Sequence, residues 1–312
     1  MSLEVASSVR IFFTEVGPRD GLQNLPEELP IEQKLELIRG ALDSGVDLVE
    51  ATSFVSPKWV PKLADAEAVM TELAAERGTE VMGRVRVLVP NRTGLERALQ
   101  AGAQRVLVNV GATDAFNRRN LNRSVKETVA EISQLAEQAT SAGCTWDASL
   151  SVAFGCPYQG RVDPHLVVGL AVELAGLGAS EVSIADTIGV ADPNQVAQLV
   201  GLMAQRVPLP LLSLHLHDTR GMGLANALAG YHAGVRRFEG SVGGIGGCPF
   251  APRSTGNVCS EDLLYLLQRV GASLTVEVKR LCAMAQRLEE ILGRELPGRL
   301  YRAGIWDPET LS

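Results

Sequence analysis

Short apolar runs alternate along most of the chain with longer segments of helical periodicity. Each run is rich in leucine or β-branched residues and is closed by glycine, proline, asparagine or aspartate, which is typical of buried strands. The pattern predicts eight strands, at residues 10–15, 46–52, 84–90, 105–111, 145–154, 181–187, 211–218 and 236–242.

Helices are predicted between these strands. Residues 31–45 have apolar side chains at helical spacing, at positions 31, 35, 38 and 42. Ser124 with Glu127 three residues later forms a capping-box pattern, and Asp192 with Pro193 marks a second helix start. Glycines stand where helices are expected to stop, at Gly45, Gly102, Gly143, Gly178 and Gly234.

Eight strand–helix units over about 270 residues predict a (β/α)8 TIM barrel. A doubly wound open sheet is the alternative, but such sheets usually have fewer strands, and no GxGxxG follows the first strand. We expect residues 1–272 to form the catalytic barrel. Residues 273–312 are predicted to be a helical extension packed on it, and not an independent domain.

Composition narrows the class of protein. The chain has 312 residues, is 46% hydrophobic and carries a net charge of −7, which argues against nucleic acid as a partner. Its five cysteines lack paired spacing, so we expect free thiols in a reducing compartment. No targeting segment is recognised at the N-terminus, and no run approaches the roughly 18 apolar residues of a membrane span. A cytoplasmic protein is expected.

Polar residues collect where the predicted strands end. The active site of a (β/α)8 barrel lies at the C-terminal ends of its strands, so these residues are the candidates for function. They are Glu15, Arg19, Asp20, Glu50, Asp147, Ser149, Ser151, Asp186, His215, His217, Cys248 and Asn257.

The segment LSLHLHD, residues 212–218, contains two of the four histidines of the chain. Successive side chains of a strand point to opposite faces, so His215 and His217 should face the barrel mouth while the leucines face the helices. Together with Asp20, they offer two imidazoles and a carboxylate, which suit Mg²⁺ or Mn²⁺. Zinc is a second possibility, and a pair of hydrogen-bonded core histidines is the structural alternative.

Two loops contain further candidates. The glycine-rich segment GGIGGCPFAPRSTGN contains Cys248, whose thiol suits proton transfer if the loop closes over a barrel mouth; an ordinary connecting loop is the alternative. The segment NRRNLNRS contains Arg118, Arg119 and Arg123. These charges indicate either a solvated loop or a phosphate-binding edge.

Six segments resemble, in the same order, the signature segments of the 3-hydroxy-3-methylglutaryl-CoA lyase family. They are EVGPRDGLQN, EATSFVSPKWVP, FGCPYQG, ADTIGV, HLHDTRG and GGIGGCPFAPRSTGN, spread over roughly residues 12 to 290. The HxHD pattern alone is shared with a wider superfamily of barrel metallolyases and Claisen-type synthases. The Cys248 loop is the segment that points to a lyase.

The resemblance implies a (β/α)8 barrel whose Mg²⁺ or Mn²⁺ ligands would be Asp20, His215, His217 and Asn257. It implies a catalytic set of Arg19, Glu50, Asp186, His215 and Cys248. Arg19 would stabilise an enolate oxygen, His215 would also carry a proton, and Cys248 would be the loop acid or base. Arg118 and Arg119 would lie close to the coenzyme A.

The implied reaction splits a 3-hydroxyacyl-CoA between C2 and C3, giving acetyl-CoA and a keto acid, which would be acetoacetate. Three alternatives stay open: a lyase for a different 3-hydroxyacyl-CoA, a Claisen-type synthase, and an inactive barrel that binds CoA esters. We expect an acyl-CoA substrate, no nucleic acid or membrane partner, and a homodimer.

Strand five departs from the family. It reads TWDASLS, with Asp147 and Ser149 at positions where such lyases have arginine and tyrosine. Asp147, Ser149 and Ser151 share one face by strand parity, and they are predicted to bind substrate. If Asp147 faces the pocket, it would repel a substrate carboxylate and change the preferred acyl group. The alternative is that it sits low in the barrel and pairs with another residue.

Overall fold

Eight parallel strands close into a barrel in the computed structural model, which describes residues 9–247 and 255–306. Every predicted strand is present, and most are shorter than predicted by a few residues. The strands are β1 Phe12–Glu15, β2 Leu48–Ser53, β3 Val85–Leu88, β4 Arg105–Gly111, β5 Thr145–Ser151, β6 Val182–Ala185, β7 Leu212–His215 and β8 Arg237–Gly240.

The ring closes because β8 pairs in parallel with β1, in a register that runs from Phe12 opposite Arg237 to Glu15 opposite Gly240. Each other strand pairs with the next strand along the chain. The (β/α)8 barrel is therefore confirmed, and the doubly wound alternative is excluded because such a sheet has free edges.

Helices follow the strands around the ring. They are α1 Ile31–Asp43, α2 Ala66–Met82, α3 Arg92–Gln100, α4 Asp114–Leu121, α5 Val125–Ser141, α6 Pro164–Gly176, α7 Pro193–Ala204, α8 Gly223–His232, α9 Ser260–Arg269, α10 Val278–Leu292 and α11 Leu300–Ala303. The predicted capping box forms at Ser124, and the helix predicted to start at Asp192 does start there, with a capping box that Asp192 makes with Gln195. Among the described helices, none combines the length and hydropathy that a bilayer crossing requires.

The two faces of the strands differ in chemistry. Leu212, Leu214 and Leu216 are about 1% exposed and pack in the large apolar layer between strands and helices, as parity predicted. The interior of such a barrel is usually filled by branched aliphatic side chains. Here it also holds a set of buried charged residues, namely Glu50, Arg86, Asp147, Glu181 and Glu239.

The C-terminal segment packs on the barrel. Helix α10 lies against α1 and α9, and α11 lies against α9 and α10. Leu288, Leu296 and Tyr301 join a second apolar cluster with Leu22 and Ile245, which lie in the loops after β1 and β8. The division after residue 272 and the status of the extension as part of the barrel domain stay predictions.

We expect Asp192→Ala to lower the free energy of unfolding by about 1 kcal/mol. The Asp192 carboxylate accepts hydrogen bonds from the backbone N–H groups of Asn194 and Gln195, at 2.9 and 3.0 Å, and the substitution leaves both donors without this partner. Urea unfolding followed by circular dichroism would measure the loss. Asn194→Ala, in the same first turn, is the control and should cost nothing; equal losses would contradict the capping argument.

Candidate active site

A buried carboxylate shapes the loop after β1. Glu15 accepts hydrogen bonds from the backbone N–H of Gly17 (2.7 Å), from the N–H of Val242 (2.9 Å) and from the Ser260 hydroxyl (2.6 Å). A Cβ atom at residue 17 would come within 2.6 Å of the Glu15 carboxylate, so any other residue there would displace this carboxylate from its donors. The chain then makes one wide helical turn, Gly17–Gly21, which contains Arg19 and Asp20.

Arg19 is held between two carboxylates. Its guanidinium donates to Glu50 on β2 and, at 2.6 Å, to the neighbouring Asp20. Burial opposes the charge, but Glu50 and Asp20 more than offset it and raise the pKa of Arg19. The group therefore presents a fixed positive charge, and it lines the cavity described below.

Asp20, His215 and His217 meet at the barrel mouth. The Nε2 atoms of the two histidines are 3.2 Å apart, and Asp20 Oδ2 lies 3.8 Å from His215 Nε2. One ligand atom from each residue lies within 4.8 Å of the others. Asn257 pairs with His217 through an isolated bridge and donates its amide N–H to Asp20 Oδ2 at 3.0 Å.

The residues of this group fit a divalent cation. Within the described part of the chain, two of their buried polar atoms, Nδ1 of His217 and Oδ1 of Asn257, have no hydrogen-bond partner. Burial and the neighbouring His215 lower the pKa of His217 to about 3. Although burial opposes it, Arg19 and the histidines lower the pKa of Asp20 to about 2. A neutral imidazole and an ionised carboxylate are the protonation states that metal ligands need.

Two charged residues of the site were missed by the sequence analysis. Glu239 on β8 lies 2.8 Å from Nδ1 of His215, and Arg86 on β3 donates to both Glu239 (2.8 Å) and Glu50 (2.5 Å). A signal was present, because both residues are charges inside predicted buried strands. Their position in the middle of a strand, away from its C-terminal end, concealed their connection to the site.

A cavity of about 680 Å³ opens above this group. Its wall includes Arg19, Asp20, His215, His217 and Glu239, and on the opposite strands Asn109, Ser149 and Ser151. Ser149 lies opposite Asn109 in the β4–β5 register, and the Ser151 hydroxyl donates to Asn109 Oδ1 at 3.0 Å. The structure thus brings three of the four predicted metal-binding residues and both predicted substrate-binding serines to one cavity; Asn257 is not on its wall and joins the group through its hydrogen bond to Asp20.

Asp186 does not lie on the cavity wall, although its neighbours Ala185 and Thr187 do. Its carboxylate accepts hydrogen bonds from the backbone N–H groups of Val190 (2.9 Å) and Ala191 (3.1 Å). Burial raises the pKa of this group. The structure therefore shows Asp186 supporting the loop after β6, and its predicted catalytic role stays a prediction.

The two arginines predicted to lie close to the coenzyme A, Arg118 and Arg119, have different positions in the structure. The Arg118 side chain is 63% exposed and lies 3.9 Å from Asp114, outside the cavity wall. Arg119 lines the cavity, with its guanidinium 4.4 Å from the ring centre of Tyr158. Cys248 lies outside the described residues.

Asp147 requires a correction. It is fully buried two residues before Ser149 and accepts two hydrogen bonds of 2.7 Å from Arg105, while Arg86 lies 3.8 Å away. It is not among the residues that line the cavity. The prediction that Asp147 binds substrate is therefore wrong, and the alternative, a residue low in the barrel with an ionic partner, is what the structure shows.

A family model described as HMGL-like matches residues 10–288, which is most of the chain. The chain belongs to the HMGL-like family. The resemblance of the six sequence segments is thereby confirmed.

Known HMGL-like proteins resemble this chain over nearly its whole length. It is 40% identical to the hydroxymethylglutaryl-CoA lyase of Bacillus subtilis, covering 93% of this chain and 96% of that one. It is 39% identical to the (R)-citramalyl-CoA lyase of Chloroflexus aurantiacus, covering 97% of each. A solved HMG-CoA lyase of Acinetobacter baumannii, in complex with coenzyme A and 3-methylmalate, superposes with a TM-score of 0.88 at 34% identity and covers 97% of both chains.

We expect His217→Ala to weaken Mn²⁺ binding by more than the roughly 10- to 100-fold that loss of an outer-shell partner costs. The substitution removes one of the three ligand atoms that lie within 4.8 Å of one another. Electron paramagnetic resonance of free Mn²⁺ in a titration would give the dissociation constant. His165→Ala, at an exposed position on α6, is the control. Equal affinities in the two variants would rule out this site.

We expect Asp147→Ala to lower the free energy of unfolding by roughly 3–5 kcal/mol, because it leaves Arg105 without its buried partner. The double variant R105M/D147L should lie closer to wild type, since it removes both charges. Urea denaturation would measure the differences. As the control, Glu290→Ala breaks an exposed pair with Arg287 and should cost at most about 1 kcal/mol. A similar small loss for Asp147→Ala would contradict its structural role.

Proposed function

We propose that the protein is a divalent-metal-dependent lyase that splits 3-hydroxy-3-methylglutaryl-CoA into acetyl-CoA and acetoacetate. The observation that carries the proposal is the convergence of Arg19, Asp20, His215 and His217 on one cavity in a member of the HMGL-like family. A C–C cleavage of this kind needs an activated hydroxyl at one carbon and a stabilised enolate at the next. The four residues match those two needs.

Asp20, His215, His217 and Asn257 would hold the cation. A divalent cation bound there would act as a Lewis acid that lowers the pKa of the substrate's tertiary hydroxyl. We propose Mg²⁺ or Mn²⁺, because the described candidate ligands are nitrogen and oxygen atoms.

Glu239 sets the orientation of His215. With Nδ1 donating to Glu239, Nε2 is the ring nitrogen that faces Asp20 and His217. One nitrogen cannot hold a cation and carry a proton at the same time. We therefore assign Nε2 of His215 to the cation, and its role as proton carrier stays a prediction for a state in which that atom is free.

Arg19 would stabilise the leaving group. A base takes the proton of the tertiary hydroxyl, the alkoxide collapses to the ketone, and the electron pair of the broken C2–C3 bond stays on C2 as a thioester enolate, whose oxygen carries negative charge. A guanidinium already fixed by Glu50 and Asp20 meets that charge without reorganising. In our proposal the enolate carbon is then protonated by Cys248.

The coenzyme A is proposed to enter beside Arg119 and Arg123, which line the same cavity as the candidate metal ligands. Trp59 lines it too, and its side chain is largely exposed. Arg118 points to solvent, where it would meet a phosphate only outside the cavity. The coenzyme A in the structure from A. baumannii supports an acyl-CoA substrate.

A related 3-hydroxyacyl-CoA is the second candidate substrate. Asn109, Ser149 and Ser151 form a polar wall that suits a carboxylate or hydroxyl close to C3. The chain is 39% identical to an (R)-citramalyl-CoA lyase, and this similarity makes (R)-citramalyl-CoA the second candidate substrate. Cleavage of this ester would give acetyl-CoA and pyruvate. A homodimer and a cytoplasmic location stay predictions from the sequence.

We expect acetyl-CoA release from 3-hydroxy-3-methylglutaryl-CoA with Mg²⁺ or Mn²⁺, and its loss with a chelator. Arg19→Met should lower kcat by roughly 10²- to 10³-fold, the usual loss on removing a donor to a developing oxyanion. Exposed Arg280→Met is the control and should keep wild-type kcat. Coupled detection of acetyl-CoA would measure both.

The same assay with (R)-citramalyl-CoA distinguishes the two candidate substrates through their kcat/KM values. A higher kcat/KM with 3-hydroxy-3-methylglutaryl-CoA supports the first proposal, and the reverse order supports the second. Release of acetyl-CoA from neither ester would contradict both.

A further inference from the structure

Six charged or titratable side chains form a closed ring beneath the cavity. Each contacts the next within 4 Å, and acidic members alternate with basic ones around it. We call this set the ion-pair ring; its members in order are Asp20, Arg19, Glu50, Arg86, Glu239 and His215.

Arg86 is the basic member of the ring that lies away from the cavity wall. It is fully buried, and its Nη2 atom lies 2.5 Å from Glu50 Oε2 and 2.8 Å from Glu239 Oε1. It is not among the residues that line the cavity. Within the ring, its contacts are with the two carboxylates, and it does not touch Arg19 or His215 directly.

Each of those carboxylates uses its second oxygen for a functional group. Glu50 Oε1 accepts from Arg19, and Glu239 Oε2 faces Nδ1 of His215. A carboxylate held at one oxygen by a fixed cation keeps the direction of its other oxygen. Arg86 therefore restricts the orientations of Arg19 and His215 together, although these residues come from different parts of the chain, the loop after β1 and strand β7.

The barrel explains why one arginine can do this. Arg86 lies opposite Glu50 in the β2–β3 register, and Glu239 lies opposite His215 in the β7–β8 register. Strands β3 and β8 are separated by β1 and β2 around the ring of strands. Only a long side chain that crosses the barrel interior can join them, and Arg86 does so.

We propose that Arg86 is a positioning residue for the reaction, acting on Arg19 through Glu50 and on His215 through Glu239. Its effect on kcat rests on the proposed function, whereas its effect on the metal site does not. Without this shared cation, the two carboxylates would repel each other and turn, and the guanidinium and imidazole would turn with them. A shift of about 1 Å at a reacting centre is enough to lower a rate by roughly 100-fold.

The test compares substitutions at Arg86 with the same substitutions at Arg105. Arg105 is a matched control, because it is an arginine on the next strand that donates to a buried carboxylate, Asp147, but has no contact with Glu50 or Glu239 among the described hydrogen bonds. Met removes the charge and keeps the aliphatic stem. Lys keeps a positive charge on a shorter side chain that lacks the guanidinium fork.

We expect R86M and R86K to lower kcat by roughly 10- to 100-fold and to weaken Mn²⁺ binding by a similar factor. KM for the CoA ester should change by less than about threefold, because the interaction lost acts on the reacting groups. R105M and R105K should keep the kcat and the Mn²⁺ dissociation constant of wild type, even where their melting temperatures fall. Steady-state kinetics and Mn²⁺ titration by electron paramagnetic resonance measure these quantities.

If R86M does not fold, the comparison of R86K with R105K decides. If both proteins keep the kcat and the Mn²⁺ affinity of wild type, the proposal is overturned. Losses of the same size in both proteins would also overturn it, because they would indicate a general effect on the barrel. If the wild-type protein releases no acetyl-CoA, the proposed function fails. The Mn²⁺ dissociation constants of the variants would still test Arg86.

Discussion

The buried positive charge of Arg86 imposes conditions on the whole interior of the barrel. Removing a guanidinium from water costs several kcal/mol unless carboxylates surround it. Glu50 and Glu239 meet this need directly, and Asp147 and Glu181 lie within 4 Å. Burial opposes its charge, yet these acids raise the pKa of Arg86 well above its usual range. Strands β2, β5 and β8 and the residue just before β6 thus each contribute one acid around the single cation on β3.

This arrangement connects stability to the site. The lower acids are balanced by Arg105 and Arg237, which pair with Asp147 and Glu181. The upper acids, Glu50 and Glu239, each reach a residue of the cavity wall. Acid–base pairs at two levels therefore occupy the interior, and the cavity above them is left free for a substrate and a cation. The departure from the family at Asp147 belongs to the lower level, whereas Ser149 and its neighbour Asn109 line the cavity.

Much of this could be read from the sequence. Periodicity located all eight strands and the helices between them, because burial of one helical stripe or strand face leaves a regular apolar pattern. Strand parity placed His215 and His217 on the inner face for the same reason. The ion-pair partners could not be read, since Arg86 and Glu239 lie 153 positions apart and no local pattern links them. Parity showed that Asp147 shared a face with the serines, but it contains no information on depth along the barrel axis.

The sequence by itself determined the order of strands and helices, the inward face of each strand, and the residue types that could hold a cation. These follow from local backbone geometry and from the chemistry of single side chains. Only the tertiary structure decided which charges pair. It placed Asp147 in an ion pair inside the barrel and Asp186 under the loop after β6, and it linked Arg19 to His215 through Arg86 and two carboxylates. The physical reason is that an ion pair depends on distances of a few ångströms between strands, and closure of the barrel sets those distances.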